Sequence, residues 1–227
     1  MREPIPLPAL NLDLPRPRPS RVVLTGSYVR LEPLDVARHA ADLFAASSRP
    51  GADQRFRYLA EAPPNEVSFG AWIERAATSE DPFFHAVVDL GSGRCQGRQA
   101  LMRITPEHGV IELGNILWNP PLARSRGATE AFYLAAGYVF DKLGYRRLEW
   151  KCDSDNLPSR KAAARFGFVY EGEFGQHMVI KGRNRDTAWF AMLDLGWLAV
   201  KARLEAWLDE ANFDAQGGQR RRLEQFG

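Results

Sequence analysis

Asn156-Leu157-Pro158-Ser159, an alanine-rich turn and then Phe166-Gly167-Phe168 compress a strand exit, a capped short helix and a helix stop into one segment. Asn156 is a natural N-cap, Pro158 fits the first helical turn, where no N–H bond is lost, and Gly167 suits the left-handed position that ends a helix. Just upstream, Arg147-Leu148-Glu149-Trp150-Lys151-Cys152 alternates charged with apolar or soft residues and reads as a half-buried strand. A helix mouth facing a strand end can hold a polar or anionic ligand. An ordinary β-α-β connection would carry the same local signals, so the rest of the chain has to decide between them.

Working outward, residues 128–143 form the clearest helical pattern. Ala128, Ala131, Phe132, Ala135, Ala136, Val139 and Leu143 recur at three- and four-residue spacing until Gly144. Before it, residues 83–90, 96–105 and 110–118 read as three strands of an antiparallel meander, divided by Gly91-Ser92-Gly93 and by the Pro106 to Gly109 turn. Earlier still, residues 28–34 alternate as a strand and Asp35 caps a helix carrying Val36, Ala40, Leu43 and Phe44. A second helix spans 66–78, with Val67, Trp72, Ile73 and Ala76 as its expected buried side. Downstream, residues 168–180 and 187–193 read as a strand pair joined through 181–185, and 195–208 as an amphipathic helix. The order is β-αα-βββ-α-β-α-ββ with a C-terminal helix. This is an α/β fold built on a mixed central sheet, in which the long helix links two strands that should run parallel.

The expected domain is 21–210. Six of the 15 prolines fall in residues 1–20, which read as an extended arm, and 211–227 read as a flexible basic tail containing Arg220, Arg221 and Arg222. With 227 residues and 45% hydrophobic content the chain can build a full core. Thirty lysines and arginines against 28 acidic residues give a net charge of +2, so nucleic acid is not an expected partner. No segment approaches the ~20 apolar residues of a membrane helix, the distant Cys95 and Cys152 suit a reducing compartment, and no metal-ligand spacing is visible. The expectation is a cytoplasmic protein without a metal.

The turn Leu122-Ala123-Arg124-Ser125-Arg126-Gly127-Ala128-Thr129-Glu130-Ala131 brings consecutive backbone N–H groups, two arginines and a helix dipole to one point. Such a turn can cradle an anion. Four features in order resemble the GCN5-related N-acetyltransferase (GNAT) superfamily, and within it the RimJ/RimL-like branch. Glu112-Leu113-Gly114-Asn115-Ile116-Leu117-Trp118 is similar to its acidic-apolar-glycine strand, and Ala128 to Ala131 to its pyrophosphate-loop exit. Asn156, with Ser159 through Phe168, is similar to its second cofactor motif. Gly182 through Arg185-Asp186-Thr187 is similar to its closing turn. The resemblance covers about 27–195. One position departs from the pattern, because Arg126 stands where the superfamily loop carries glycine. An arginine there is expected to strain the loop or displace the phosphate, unless Gly127 absorbs the change or the arginine itself contacts phosphate.

The resemblance implies acetyl-CoA as co-substrate and a primary amine, either a protein N-terminus or a small molecule, as acceptor. An alkyl amine with a reference pKa near ~10 is mostly protonated at neutral pH, so a base is required, and Glu112 is implied for that role, directly or through water. A backbone N–H near Leu117 or Trp118 is implied as oxyanion donor, and Ser159 as the donor to the departing sulfur. Asn156 is implied for the pantetheine amide and Arg124, Ser125, Arg126, Gly127, Ala128 and Thr129 for the pyrophosphate. His177 would border the acceptor and bind substrate. Read as local structure, Asn156 and Ser159 serve only the helix cap, and Glu112 is a strand-surface carboxylate. A non-catalytic acyl-CoA-binding sensor, motivated by Arg126 and the proline arm, is the alternative to the enzyme, and a homodimer is compatible with either.

Overall fold

The computed structural model describes residues 13–226. Eight strands form one sheet: β1 Leu24–Thr25, β2 Val29–Pro33, β3 Phe83–Asp89, β4 Cys95–Thr105, β5 Val110–Trp118, β6 Arg147–Asp153, β7 Val169–Ile180 and β8 Arg183–Leu193. They lie in the order β1-β2-β3-β4-β5-β6-β8-β7. Six helices accompany them: α1 Val36–Ser47, α2 Ala52–Phe56, α3 Glu66–Thr78, α4 Arg126–Gly137, α5 Leu157–Phe166 and α6 Asp194–Leu208. The meander β3-β4-β5 is antiparallel, and the connection through α4 makes β5 and β6 run parallel, as expected of a crossover.

Alternation along β3 supplies two cores. Phe83 and Val87 join a cluster with Phe132 and Val139 of the α4 side, whereas Phe84, Ala86 and Val88 join Leu43, Phe69 and Ile73 of α1 and α3. A strand buried on both faces reads as a continuous apolar run. The caps are those the sequence marks: Asp35 accepts from the Arg38 amide, Asn156 from the Ser159 amide, and Gly167 takes φ 98° after α5.

Several expectations are corrected. Val67 is 85% exposed, because the buried stripe of α3 is Phe69, Ile73 and Ala76 and a position two residues before Phe69 points the other way. The helix expected to run unbroken to Gly144 passes at Tyr138–Lys142 into a π turn, which lets three consecutive residues, Tyr138, Val139 and Phe140, all be buried. Strand β8 starts four residues earlier than 187. Lys181 and Gly182 both have positive φ, 51° and 72°, which is the requirement of a tight two-residue hairpin turn. In α6 the core-facing residues are Trp197, Leu204 and Trp207, while Leu195 and Leu198 remain exposed. The short β1 and α2 carried no clear sequence signal.

The two ends are tied to the body. The Arg16 amide donates to the Pro106 carbonyl at 3.0 Å and the Ser20 amide to Tyr138 Oη at 2.9 Å; residues 1–12 of the expected arm lie outside the described residues. Residues 211–226, expected as a loose basic tail, fold back on the domain. Leu223 is fully buried in the main core, Phe213 pairs with Gln219, and Trp207 Nε1 donates to Gln219 Oε1 at 2.9 Å. The arginines dominate the composition of this stretch, but Phe213, Leu223 and Phe226 anchor it. Among the described residues no helix is long and apolar enough to cross a membrane.

Candidate active site

Strands β5 and β6 pair over only three residues, Val110, Ile111 and Glu112 with Arg147, Leu148 and Glu149. Beyond Glu112 they part. The cause lies in β5 and its other neighbour β4, whose register shifts twice, with Arg103 (φ 46°) and Asn115 (φ 49°) in the left-handed region. Bulges of this kind bend a strand away from its partner. The opening is a cavity of about 470 Å³ floored by β5 and β6 and bordered by the mouth of α5. It is roofed by residues 54–60, which are held by the Tyr58 hydroxyl donating to the Asp155 carbonyl (3.0 Å) and by Lys181 Nζ donating to the Phe56 carbonyl (2.8 Å).

Glu112 lines this cavity at the last paired position. Its side chain is only 4% exposed and meets two cations, Arg103 Nη1 at 2.6 Å and Lys151 Nζ at 3.2 Å. Pairing of this kind is what allows a carboxylate to remain charged away from water. Gly114 makes the space beside it, since a Cβ there would lie 3.0 Å from Glu112 Oε1 and 2.7 Å from Met102 Sδ. Lys151 also contacts Glu149 Oε2 at 2.7 Å and sits 3.8 Å from the centre of the Trp189 ring.

Asn156 and Ser159 border the same cavity. Asn156 Oδ1 accepts from the Ser159 amide at 3.2 Å, which commits its oxygen to the cap and leaves its amide nitrogen free of that bond. Ser159 Oγ accepts from Trp150 Nε1 at 2.9 Å. Indole is only a donor, so the hydroxyl proton of Ser159 is not used in this bond and can be given elsewhere. Cys152, on the same wall, is buried, and desolvation raises its thiol pKa despite the opposing hydrogen bond with Ser159.

The mouth of α4 forms a second constellation, apart from the residues that line the cavity. Ser125 is the N-cap and accepts from the Ala128 amide at 3.2 Å, so the Arg126 and Gly127 amides are the ones left in the first turn without intrahelical acceptors. The left-handed residue of the loop is Arg124, with φ 63°, not Arg126. Arg124 is exposed, and among the described residues it has no ion pair. The side chain of Arg126 turns away from the mouth. It donates to Tyr28 Oη at 2.6 Å and lies 3.3 Å from the centre of the Phe213 ring. The strain expected from the missing glycine is therefore absent at Arg126, which is ordinary helix. Gly127 is needed for packing, since a Cβ would stand 2.8 Å from Val29 Cγ1. Thr129 is buried and its hydroxyl accepts from Arg165 Nη1 at 3.1 Å. Glu130 fastens the helix by accepting from the backbone amides of Ser27, Tyr28 and Val29.

Leu117 is buried and Trp118 donates through Nε1 to Gln99 Oε1 at 3.1 Å; both pair with β4 but have no ladder partner on the β6 side. His177 does not line the cavity. Its Nδ1 is 2.9 Å from Thr187 Oγ1 and its ring packs edge-on to Phe174. Asp186 is structural, accepting from the Gln176 amide and from Asn184 Nδ2. Sequence reasoning missed Arg103, Lys151, Arg185 and Tyr58 as cavity residues. The period-two alternation of 147–152 already put Lys151 on the face of Glu149, whereas nothing local pointed to Tyr58.

The family model of the acetyltransferase (GNAT) domain matches residues 29–169. A GCN5-related N-acetyltransferase from Brucella melitensis is 54% identical, with 96% of this chain and 99% of that chain covered and a TM-score of 0.94. A protein from Chromobacterium violaceum described as a probable GNAT-family acetyltransferase is 37% identical over 88% of this chain and 98% of that chain, with a TM-score of 0.78. This chain belongs to the GNAT acetyltransferase family. A spermidine N-acetyltransferase from Vibrio cholerae, in complex with CoA and spermine, shares the fold at 18% identity, covering 76% of this chain and 99% of that chain with a TM-score of 0.62. No curated protein matches the sequence.

Proposed function

We propose that this protein transfers the acetyl group of acetyl-CoA to a primary amine by direct attack within a ternary complex, as a RimJ/RimL-like member of its family in a reducing, cytoplasmic setting. The observation that carries this reading is the position of Glu112. It is the last β5 residue paired with β6 and lines the same cavity as Ser159, where the strands part.

In this mechanism Glu112 takes the proton of the ammonium, directly or through one water. The neutral amine forms its N–C bond at the thioester carbonyl and the C–S bond breaks. As the C–S bond breaks, the Ser159 hydroxyl, its oxygen held by Trp150 Nε1, hydrogen-bonds the departing sulfur and relays to it the second proton of the attacking nitrogen, so that the amide, the CoA thiol and an unchanged Ser159 result. Backbone N–H groups of β5 near Leu117 or Trp118, unpaired on the β6 side, would stabilise the developing oxyanion. The Arg126 and Gly127 amides and the exposed Arg124 would receive the pyrophosphate, and the free amide nitrogen of Asn156 the pantetheine. A covalent route through Cys152 is disfavoured, because a buried thiol of raised pKa is a poor nucleophile.

The test is release of free CoA thiol from acetyl-CoA in the presence of a panel of amines. Turnover that requires both Glu112 and an amine supports the reading. Tight CoA binding with no turnover on any amine, and no effect of Glu112→Gln, would favour a sensor. Of the two features that motivated that alternative, Arg126 is engaged with Tyr28 and Phe213, and residues 1–12 of the proline arm lie outside the described residues.

A further inference from the structure

The cavity carries an uncompensated cation. Of its acidic linings, Glu112 is bonded to Arg103 and Lys151, and Asp153 accepts from the Asp155 amide at 2.9 Å. Among its basic linings, Arg103 is spent on Glu112, and Lys151 on Glu112 and Glu149; Arg55 has no ion pair among the described residues and its Nε is buried without a partner, but its Nη1 and Nη2 are spent on three backbone carbonyls. Arg185 is different. It enters the cavity from the β7–β8 hairpin, is only partly exposed, and among the described residues its side chain has neither an ion pair nor a hydrogen bond, its Nε being buried.

A guanidinium left in this condition suits a planar anion, which it can bind through two parallel N–H bonds. The same arithmetic argues against a polycation. A polyamine needs unpaired carboxylates to replace its water, and the one deep carboxylate here is already held by two cations. We infer that the acceptor of this site is an amine that also bears a carboxylate, an amino acid or a short acidic peptide, with the carboxylate on Arg185 and the amine toward Glu112. This rests on the acetyltransferase reading and names its substrate class.

Acetyl transfer to 5-aminopentanoate and to pentylamine compares two amines of like basicity that differ in the carboxylate. Glutamate, glutamyl peptides and spermine complete the panel. The expected result is a kcat/KM for the carboxylate-bearing member on the order of tenfold to a hundredfold higher, the range of one charge-assisted bond. In Arg185→Gln that ratio should collapse through KM, while unaltered CoA affinity shows that the variant is folded. Free glutamate against glutamyl peptides separates the two sources of the carboxylate. A preference for pentylamine or spermine, or a ratio that survives Arg185→Gln, would overturn the inference while leaving the acetyltransferase reading intact. If no amine is turned over, binding of glutarate to the CoA-loaded protein, followed by tryptophan fluorescence, still decides. Binding lost in Arg185→Gln supports the carboxylate site, and binding that is absent or unchanged overturns it.

Discussion

Arg126, in the first turn of α4, lies 3.3 Å from the centre of the Phe213 ring, so a residue beyond the last helix of the domain holds the loop expected to receive the cofactor's pyrophosphate. Phe213 is in turn edge-on to Trp207, and Trp207 lies 4.9 Å from Arg165, which bonds Thr129 of α4. The C-terminal stretch is thus part of the support of the α4 mouth. Phe213→Ala removes a cation–π contact worth about 1–2 kcal/mol. CoA affinity measured by calorimetry should fall by about tenfold. Tighter binding in the variant would mean that Phe213 restrains Arg126 from the phosphate instead of ordering the loop.

Glu112→Gln keeps the shape of the site and removes the proton acceptor. Its kcat should drop by about 10²–10⁴ with CoA affinity retained, and the loss should shrink as pH rises and more amine is already neutral. A pH-independent loss would indicate that Glu112 only anchors Arg103 and Lys151.

Ser159→Ala has two separable consequences. It leaves Trp150 Nε1 without its acceptor in a buried site, which should cost about 1–3 kcal/mol in denaturant unfolding. It also removes the donor to the leaving thiolate, which should lower kcat by about 10²-fold. Ser159→Thr, which restores the hydroxyl, should recover most of the stability and the turnover, and a kcat unchanged in Ser159→Ala would limit Ser159 to a structural role.

Cys152→Ala should retain turnover, and no acetylated enzyme should be trapped by mass spectrometry after exposure to acetyl-CoA. The native thiol should react slowly with iodoacetamide at neutral pH, because burial disfavours the thiolate.

His85 gives a stability prediction with a definite sign. Burial first, and Arg21 second, push its imidazole down from 6.5 to about 4, and neither ring nitrogen has a partner. Between those values the unfolded chain binds a proton that the native state does not. Stability is therefore full above the unfolded value and is lost as pH falls from about 6.5 toward 4, by up to about 3 kcal/mol. His85→Leu should flatten this part of the acid limb in urea titrations; an unchanged slope would assign the limb to other groups, His39 among them, whose pKa burial also lowers.

The legible parts of the fold were those set by short-range physics. Asp35, Asn156 and Gly167 cap helices because of what they do to the backbone beside them, and the alternation of 147–152 fixes β6 whatever it pairs with. From such signals came the element order and the parallel β5–β6 step, whereas the proximity of Glu112, Asn156 and Ser159 was what the family resemblance implied. Illegible were features that depend on a distant partner. The destination of the Arg126 side chain required Tyr28 and Phe213, the packing of the C-terminal stretch required a pocket for Leu223, and the π turn required three consecutive residues to face the core. His177 looked like an acceptor ligand from its strand, but its partner is Thr187 across the hairpin. By itself the sequence determined which segments are helix and strand and which family's motifs they carry, because capping, periodicity and turn chemistry act within a few residues. Only the tertiary structure decided that, among the described residues, Arg185 enters the cavity with neither an ion pair nor a hydrogen bond on its side chain, because charge compensation is a sum over side chains that only folding brings together.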